Sequence, residues 1–458
     1  MRAGGHTLGP GTGVAHLRPV LTAGLRALLP ILAVQFVGAL GLSVVLPFLI
    51  TVVLDFGGNA VAYGVIGATY AAFQLVGAPW LGRLSDRVGR RRILLVSQAG
   101  TLLAWGLFAL AFFLPLEALA EFGGGGAGAF ALTLPLLVIF LARALDGLTG
   151  GNVSVATAYL ADRSTPQTRK RNFGYLSAAT SLGYIVGPAL AGLVAEVPLM
   201  GRANLLPIAL AGLISAVALA LIYFGLERDE GLGVEELRGE RLRDQGSADQ
   251  GSKDEGSEDM TAGGSLSLKQ ALRLPDVPRL LALYFLLYLG FNFFYVAFPV
   301  FATEGMAWST LRLGVFFSVL SAVLVAVEGP LMGVLSDRVD DRRLYLVGGV
   351  VLAAGFASMT VLRDGGLYVS AALFGLGNGL MWPSFVSLLA AAAGDRYQGA
   401  VQGLGASFGS AAAVVGMLAG GVAYGALGAN VFWVSAAAIG GAALGLLKAP
   451  RAAGAPEQ

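Results

Sequence analysis

Apolar stretches of about 20 residues or more recur along this chain, broken by short polar loops. About 20 apolar residues in a helix, rising 1.5 Å each, cross the roughly 30 Å hydrocarbon core of a bilayer. The pattern predicts such helices near residues 27–54, 61–82, 93–114, 133–160, 173–196 and 203–226. A second set is predicted near 278–303, 309–333, 343–362, 367–393, 397–424 and 428–447. The expected architecture is all-α and integral to a membrane, with twelve transmembrane helices in two sets of six.

Between the sets, the run from Glu227 to Ser265 has a different character. It holds 12 acidic and 5 basic residues and no apolar periodicity, so it is expected to be a largely disordered linker. Its net charge is −7 against +2 for the whole chain, which leaves +9 on the rest. Much of that charge is concentrated in two loops. Arg83, Arg87, Arg90, Arg91 and Arg92 follow the second predicted helix, and Arg163, Arg169, Lys170 and Arg171 follow the fourth. Loops 55–60 and 115–132 carry no Lys or Arg. The positive-inside bias then puts the arginine loops, both termini and the linker in the cytoplasm of an inner-membrane protein. The predicted organisation is a tail at 1–26, a bundle at 27–226, a linker at 227–277, a bundle at 278–447 and a tail at 448–458.

Composition agrees with burial in lipid and narrows the chemistry. Charged residues make up 13% of the chain, about half the share of a soluble domain. Close helix approach accounts for most of the 67 glycines. There is no cysteine, and the two histidines, His6 and His16, lie in the polar N-terminal tail. Disulfides, thiolate catalysis and cysteine metal sites are excluded, and proton chemistry inside the membrane falls to carboxylates. The N-terminus shows no short signal sequence; its first apolar run, Leu28 to Leu54, is long enough to span and remain. No nucleophile–base constellation or GxxxxGK[ST] loop occurs, so neither an enzyme nor a nucleotide-driven machine is expected. The Gly123–Gly126 run reads as a flexible external turn. No cofactor, metal or nucleic acid is implied.

The two sets resemble each other. GRLSDRVGRRRIL at 82–94 returns as GVLSDRVDDRRLYL at 333–346, each after the second helix of its set. A duplicated six-helix unit argues for two pseudo-symmetric bundles with a site at their interface. The first copy, with Gly82, Asp86, Arg87, Gly89 and Arg90, resembles the loop motif of the major facilitator superfamily. That resemblance implies the major facilitator fold and a loop that latches the bundles together. Asp86 is then expected to face the segment Tyr397 to Gln402, and Arg87 or Arg90 to pair with Asp162. The second copy keeps Asp337 and Arg338 but has Asp340 and Asp341 where glycine and arginine are expected, which weakens any latch there.

The fifth predicted helix carries Gly183, Gly187, Pro188 and Gly192. This spacing is similar to that of the drug–proton antiporter branch, where a glycine-rich, proline-kinked helix lines the bundle interface; Ala191 departs from it. An ordinary packing kink is the plainer account. In the eleventh, Met417 stands where the proline is expected. RALDGLTGGNVSVATAYLAD at 143–162 also resembles tetracycline-type and multidrug exporters. The resemblance implies a secondary transporter exchanging protons for small lipophilic compounds.

A charge at the centre of a membrane helix costs roughly 2.5–3.5 kcal/mol and needs a reason. Arg143 and Asp146 lie three residues apart on the fourth helix. Either they only neutralise each other, or Asp146 takes up and releases the transported proton. Glu328, near the end of the eighth helix, is a second candidate; snorkelling to the interface and pairing with an arginine is its expected role. Gln35, Asn292, Phe294, Tyr295, Asn378 and Trp382 are expected to line an apolar, aromatic pocket. The partners are a small-molecule substrate, protons and the bilayer, with one chain as the working unit. Two rival functions remain: proton symport or uniport of a sugar, organic acid or other small metabolite, and a non-transporting sensor on the same fold.

Overall fold

The structure, a computed structural model, describes residues 17–122, 129–150, 152–226 and 268–447. The expectations for the tails at 1–16 and 448–458, linker residues 227–267 and the Gly123–Gly126 turn lie outside the described residues. The first half consists of α1 (Leu17–Asp55), α2 (Ala60–Val88), α3 (Arg90–Ala111), α4 (Leu134–Thr149), α5 (Asn152–Asp162), α6 (Pro166–Ala195) and α7 (Leu205–Gly225). The second half consists of α8 (Val277–Val300), α9 (Thr310–Ala326), α10 (Asp341–Ser358), α11 (Leu367–Leu427) and α12 (Val431–Leu447).

Twelve crossings follow once two irregularities are resolved. The predicted span 133–160 is two helices, α4 and α5, parted at Gly150. Conversely, α11 runs through 61 residues but turns at Gly394, whose φ of 67° and ψ of 165° are not helical, so it supplies two crossings. Beyond α9, a π-turn at Val327–Leu331 contains Pro330 and leads into a last helical turn ending at Leu335. A proline interrupts the i to i−4 ladder, and a wide turn accommodates the lost bond.

Local chemistry sets the helix ends. Asn59 caps α2 by accepting from the amides of Val61 and Ala62 at 2.9 and 3.1 Å. The loop expected at 83–92 is almost entirely helical: α2 continues to Val88, and Gly89 alone, at φ 105° and ψ 143°, separates it from α3. That region of backbone space is almost reserved for glycine. Within the all-α architecture, the loop at 115–133 carries a short hairpin. There Ala118–Phe122 (β1) and Phe130–Thr133 (β2) pair antiparallel, and the Phe122 and Phe130 rings stack at 5.1 Å.

The second half has a phenylalanine core. Phe294, Phe298, Phe316, Phe317, Phe356 and Phe374 are fully buried among one another, and each such ring pair contributes about 0.5–1.5 kcal/mol.

The halves meet through α2 against the second crossing of α11, and through α6 against α9. A Cβ at Gly64 would collide with the Met417 carbonyl, and one at Gly421 would stand 2.5 Å from the Ala60 carbonyl. On the other seam, a Cβ at Gly192 would lie 3.0 Å from Leu311 Cα, while the Ser318 hydroxyl donates to the Ile185 carbonyl at 3.1 Å. These contacts lie toward the end of the bundle that carries the β-hairpin. At the arginine-rich end Gly82, Gly174, Gly333 and Gly403 have open space where a side chain would begin. The close glycine contacts between the halves lie at the hairpin end.

Candidate functional site

Asp146 lies on the wall of a cavity of about 110 Å³ whose lining comes from the first half alone: α1, α2, α3, α4, α6 and α7, with Gly150. Its carboxylate takes a hydrogen bond from Arg143 Nη1 at 3.0 Å, one turn back on the same helix. Both side chains are largely buried, at 8% and 16% exposure. The guanidinium also stands 4.4 Å from the centre of the Tyr70 ring, and Gln74 donates to the Tyr70 hydroxyl at 3.0 Å. The Thr101 hydroxyl is placed to donate to Asp146. Arg143 Nε is buried with no partner among the described residues. The pair is therefore held chiefly by Arg143 and Tyr70, with Asp146 facing the open space.

The expected pocket residues separate. Gln35 lines the cavity, donating to the Thr180 hydroxyl at 3.0 Å, while its own Oε1 is buried with no partner among the described residues. Asn292, Phe294, Tyr295, Asn378 and Trp382 do not line it. Phe294 belongs to the phenylalanine core. Asn292 donates to the Tyr288 carbonyl at 2.7 Å and sits beneath Gly416. Trp382 packs edge-on to Tyr284 and Tyr288 at 5.3 and 5.5 Å. Tyr295 lies at the seam, its carbonyl 3.5 Å from the Tyr63 hydroxyl. Asn378 has a buried Oδ1 with no hydrogen-bond partner among the described residues.

Glu328 lies in the π-turn at Val327–Leu331 and makes no ion pair among the described residues. No arginine among the described residues forms an ion pair with it. It is also separate from the cavity of Asp146.

At the arginine end, Arg90 binds two carboxylates: Asp86 at 2.6 Å and Asp162 at 3.0 Å. Arg90 rather than Arg87 makes the pairing to α5. Asp86 is 60% exposed, and its ion pair is with Arg90 on the next helix. Gly82 has no close neighbour, so tight packing is not its role in this conformation; Gly89 supplies the turn. In the second copy, Asp337 and Arg338 lie in an exposed turn and make no ion pair among the described residues.

The glycine–proline helix is α6. A Cβ at Gly183 would meet the Phe36 carbonyl at 2.7 Å, and one at Gly187 would overlap the Ser43 hydroxyl. Pro188 and Gly192 face α9, where the Pro188 carbonyl occupies the space beside Gly314. One stripe thus packs on α1 and the next on the opposite half.

Sequence reasoning missed Tyr70, Gln74, Gln98, Thr101 and Ser215, which surround the acid or its cavity. Gln98 donates to the Ser215 hydroxyl at 2.7 Å. Gln74 and Gln98 were open to the argument that selected Asp146, since a buried amide in lipid also needs a partner.

Comparison with known proteins agrees with this architecture. The family model described as Major Facilitator Superfamily matches residues 31–362 and 280–457. The chain is 24% identical over 404 residues to the class B tetracycline resistance protein of Escherichia coli, covering 86% of this chain and 87% of that one. It is 25% identical over 401 residues to multidrug resistance protein 2 of Bacillus subtilis, covering 85% and 86%. Among solved structures, a D-xylose-proton symporter superimposes with a TM-score of 0.68 at 16% identity, over 94% of this chain and 97% of that one. Twelve crossings in two halves, the repeated loop motif and the family match lead to one conclusion: this chain is a membrane transporter belonging to the major facilitator superfamily.

Proposed function

We propose that this transporter exports small lipophilic compounds in exchange for protons, with Asp146 as the proton carrier and Arg143 as its counter-charge. The observation that carries the reading is a cavity-lining acid whose ionic partner lies on its own helix. Protonation of Asp146 releases Arg143 without breaking any ion pair between helices, and Tyr70 still holds the guanidinium. Deprotonation restores the pair. A proton can therefore load and leave while the bundle stays intact.

The tetracycline and multidrug resistance relatives support drug-like cargo. The glycine–proline stripe of α6 at the seam suits a helix about which the halves rock. With the arginine end in the cytoplasm of the inner membrane, the close contacts at the hairpin end support an inward-open conformation. Two bundles, at 27–226 and 278–447, then alternate about the seams as one working chain.

One proton suffices energetically. A charge moved through 150 mV supplies about 3.5 kcal/mol, which sustains a roughly 300-fold gradient of a neutral compound. The test is reconstitution in vesicles with an imposed pH gradient and a panel of dyes and antibiotics. Uphill movement against the proton flow supports exchange. Movement only down each compound's own gradient, indifferent to pH, removes it.

A further inference from the structure

The glutamines along the Asp146 cavity share one arrangement. Gln35 donates to the Thr180 hydroxyl at 3.0 Å, Gln74 to the Tyr70 hydroxyl at 3.0 Å and Gln98 to the Ser215 hydroxyl at 2.7 Å. Each amide nitrogen is thereby tied to the wall. The carbonyl of Gln35 stands apart: its Oε1 is buried and has no hydrogen-bond partner among the described residues. Gln35 is only 5% exposed, and it lines the cavity. A buried acceptor left unpaired costs more than a typical hydrogen bond contributes, so it needs a reason.

Thr180 fixes which end of the amide is free. Its hydroxyl donates to the Leu176 carbonyl at 2.9 Å, one turn back on α6. A hydroxyl has one hydrogen, so toward Gln35 it can only accept. Nε2 therefore faces Thr180, which leaves the oxygen to the cavity. The other acceptor on this wall, Asp146, already takes hydrogen bonds from Arg143 and Thr101, and the guanidinium balances its charge. Val37, Ala39, Trp105 and Ala211 supply apolar surface beside them. At about 110 Å³ the cavity is smaller than the roughly 300–1,000 Å³ of a whole small-molecule site, so it admits one end of a cargo molecule.

We propose that Gln35, oriented by Thr180, determines cargo specificity: its Oε1 accepts a hydrogen bond from a neutral O–H or N–H group, so the transporter selects lipophilic compounds that carry such a donor. The inference rests on the reading of this cavity as the cargo site. Water serves the oxygen when no cargo is bound, since the cavity is polar and large enough to hold it. A cargo with a donor displaces that water and replaces its bond. A cargo without one leaves the oxygen unpaired and binds more weakly.

The experiment is equilibrium dialysis of p-octylphenol and its methyl ether against the full chain in detergent, each corrected for partition into empty micelles. At neutral pH a phenol, with a pKa of about 10, is uncharged. The phenol is expected to bind about tenfold more tightly than the ether. Gln35→Met keeps the side-chain length and removes the acceptor; the ratio is expected to fall to within about twofold. Thr180→Val frees the amide to turn, so that either end can meet the cargo. There the ratio is expected to fall through tighter binding of the ether, a gain that a merely structural defect does not produce. The proposal is overturned if the phenol fails to bind or if wild type binds both compounds equally. It is overturned too if the tenfold ratio survives Gln35→Met, or if the ether binds Thr180→Val no more tightly than wild type. No pH gradient enters this readout, so proton exchange at Asp146 can fail while the selection stands, and the reverse.

Discussion

Tyr70 carries the Arg143 guanidinium on its ring face, 4.4 Å from the ring centre, so the counter-charge of Asp146 is held from a neighbouring helix. A desolvated cation on an aromatic face is worth about 2 kcal/mol. Tyr70→Leu removes that support and is expected to reduce proton-driven export by about tenfold. Tyr70→Phe keeps the ring and loses only the hydroxyl that accepts from Gln74; its export is expected to stay within about threefold of wild type. Dye efflux from vesicles under a fixed pH gradient separates the two.

The close contact at the hairpin end depends on glycine at position 64, because any side chain there meets the Met417 carbonyl. Gly64→Val is expected to wedge α2 from α11 and shift the population toward an open hairpin end. The chain has no cysteine, so Ala60→Cys places a single thiol on the seam. Labelling by a membrane-impermeant maleimide is expected to be slow in the Ala60→Cys chain and at least fivefold faster once Gly64→Val is added. Equal rates remove the wedge argument.

The two glycines of the loop motif are expected to respond differently to alanine. Gly89→Ala forces a side chain into φ 105° and ψ 143°, at a cost of about 1–3 kcal/mol. Gly82→Ala meets open space inside α2 and gains helix propensity. Thermal unfolding in detergent is expected to show a lower transition for Gly89→Ala and an unchanged or higher one for Gly82→Ala.

Glu328 is the other acid within the predicted spans that invites a coupling role. It lies in a different half from Asp146 and off its cavity. Glu328→Gln is therefore expected to leave the pH dependence of export intact. A flattened pH profile in that variant assigns Glu328 a share of the coupling.

Much of the fold was legible because hydrophobic length and arginine placement are one-dimensional signals. The crossings follow from them, whereas the pairing of Arg87 or Arg90 with Asp162 is implied by resemblance to the family's loop motif, and the structure selects Arg90. Hydropathy does not register a backbone break, so the separation of α4 from α5 at Gly150 was not foreseen. The hairpin is obscured for a different reason: Ala118–Phe122 and Phe130–Thr133 flank a glycine run whose composition signals a turn but not its strands. Phe294 and Asn292 show the third limit. A helix apolar on every face gives no sign of which side meets a cavity, and only the packing of Phe298, Phe317 and Phe374 reveals that Phe294 belongs to the core.

The account depends most on Asp146. Wild-type and Asp146→Asn chains in vesicles are to be compared for uphill export under an imposed pH gradient and for downhill exchange without one. The proposed role predicts that Asp146→Asn loses uphill export while downhill exchange persists, since an amide next to Arg143 cannot release a proton. Uphill export at the wild-type rate in Asp146→Asn contradicts it.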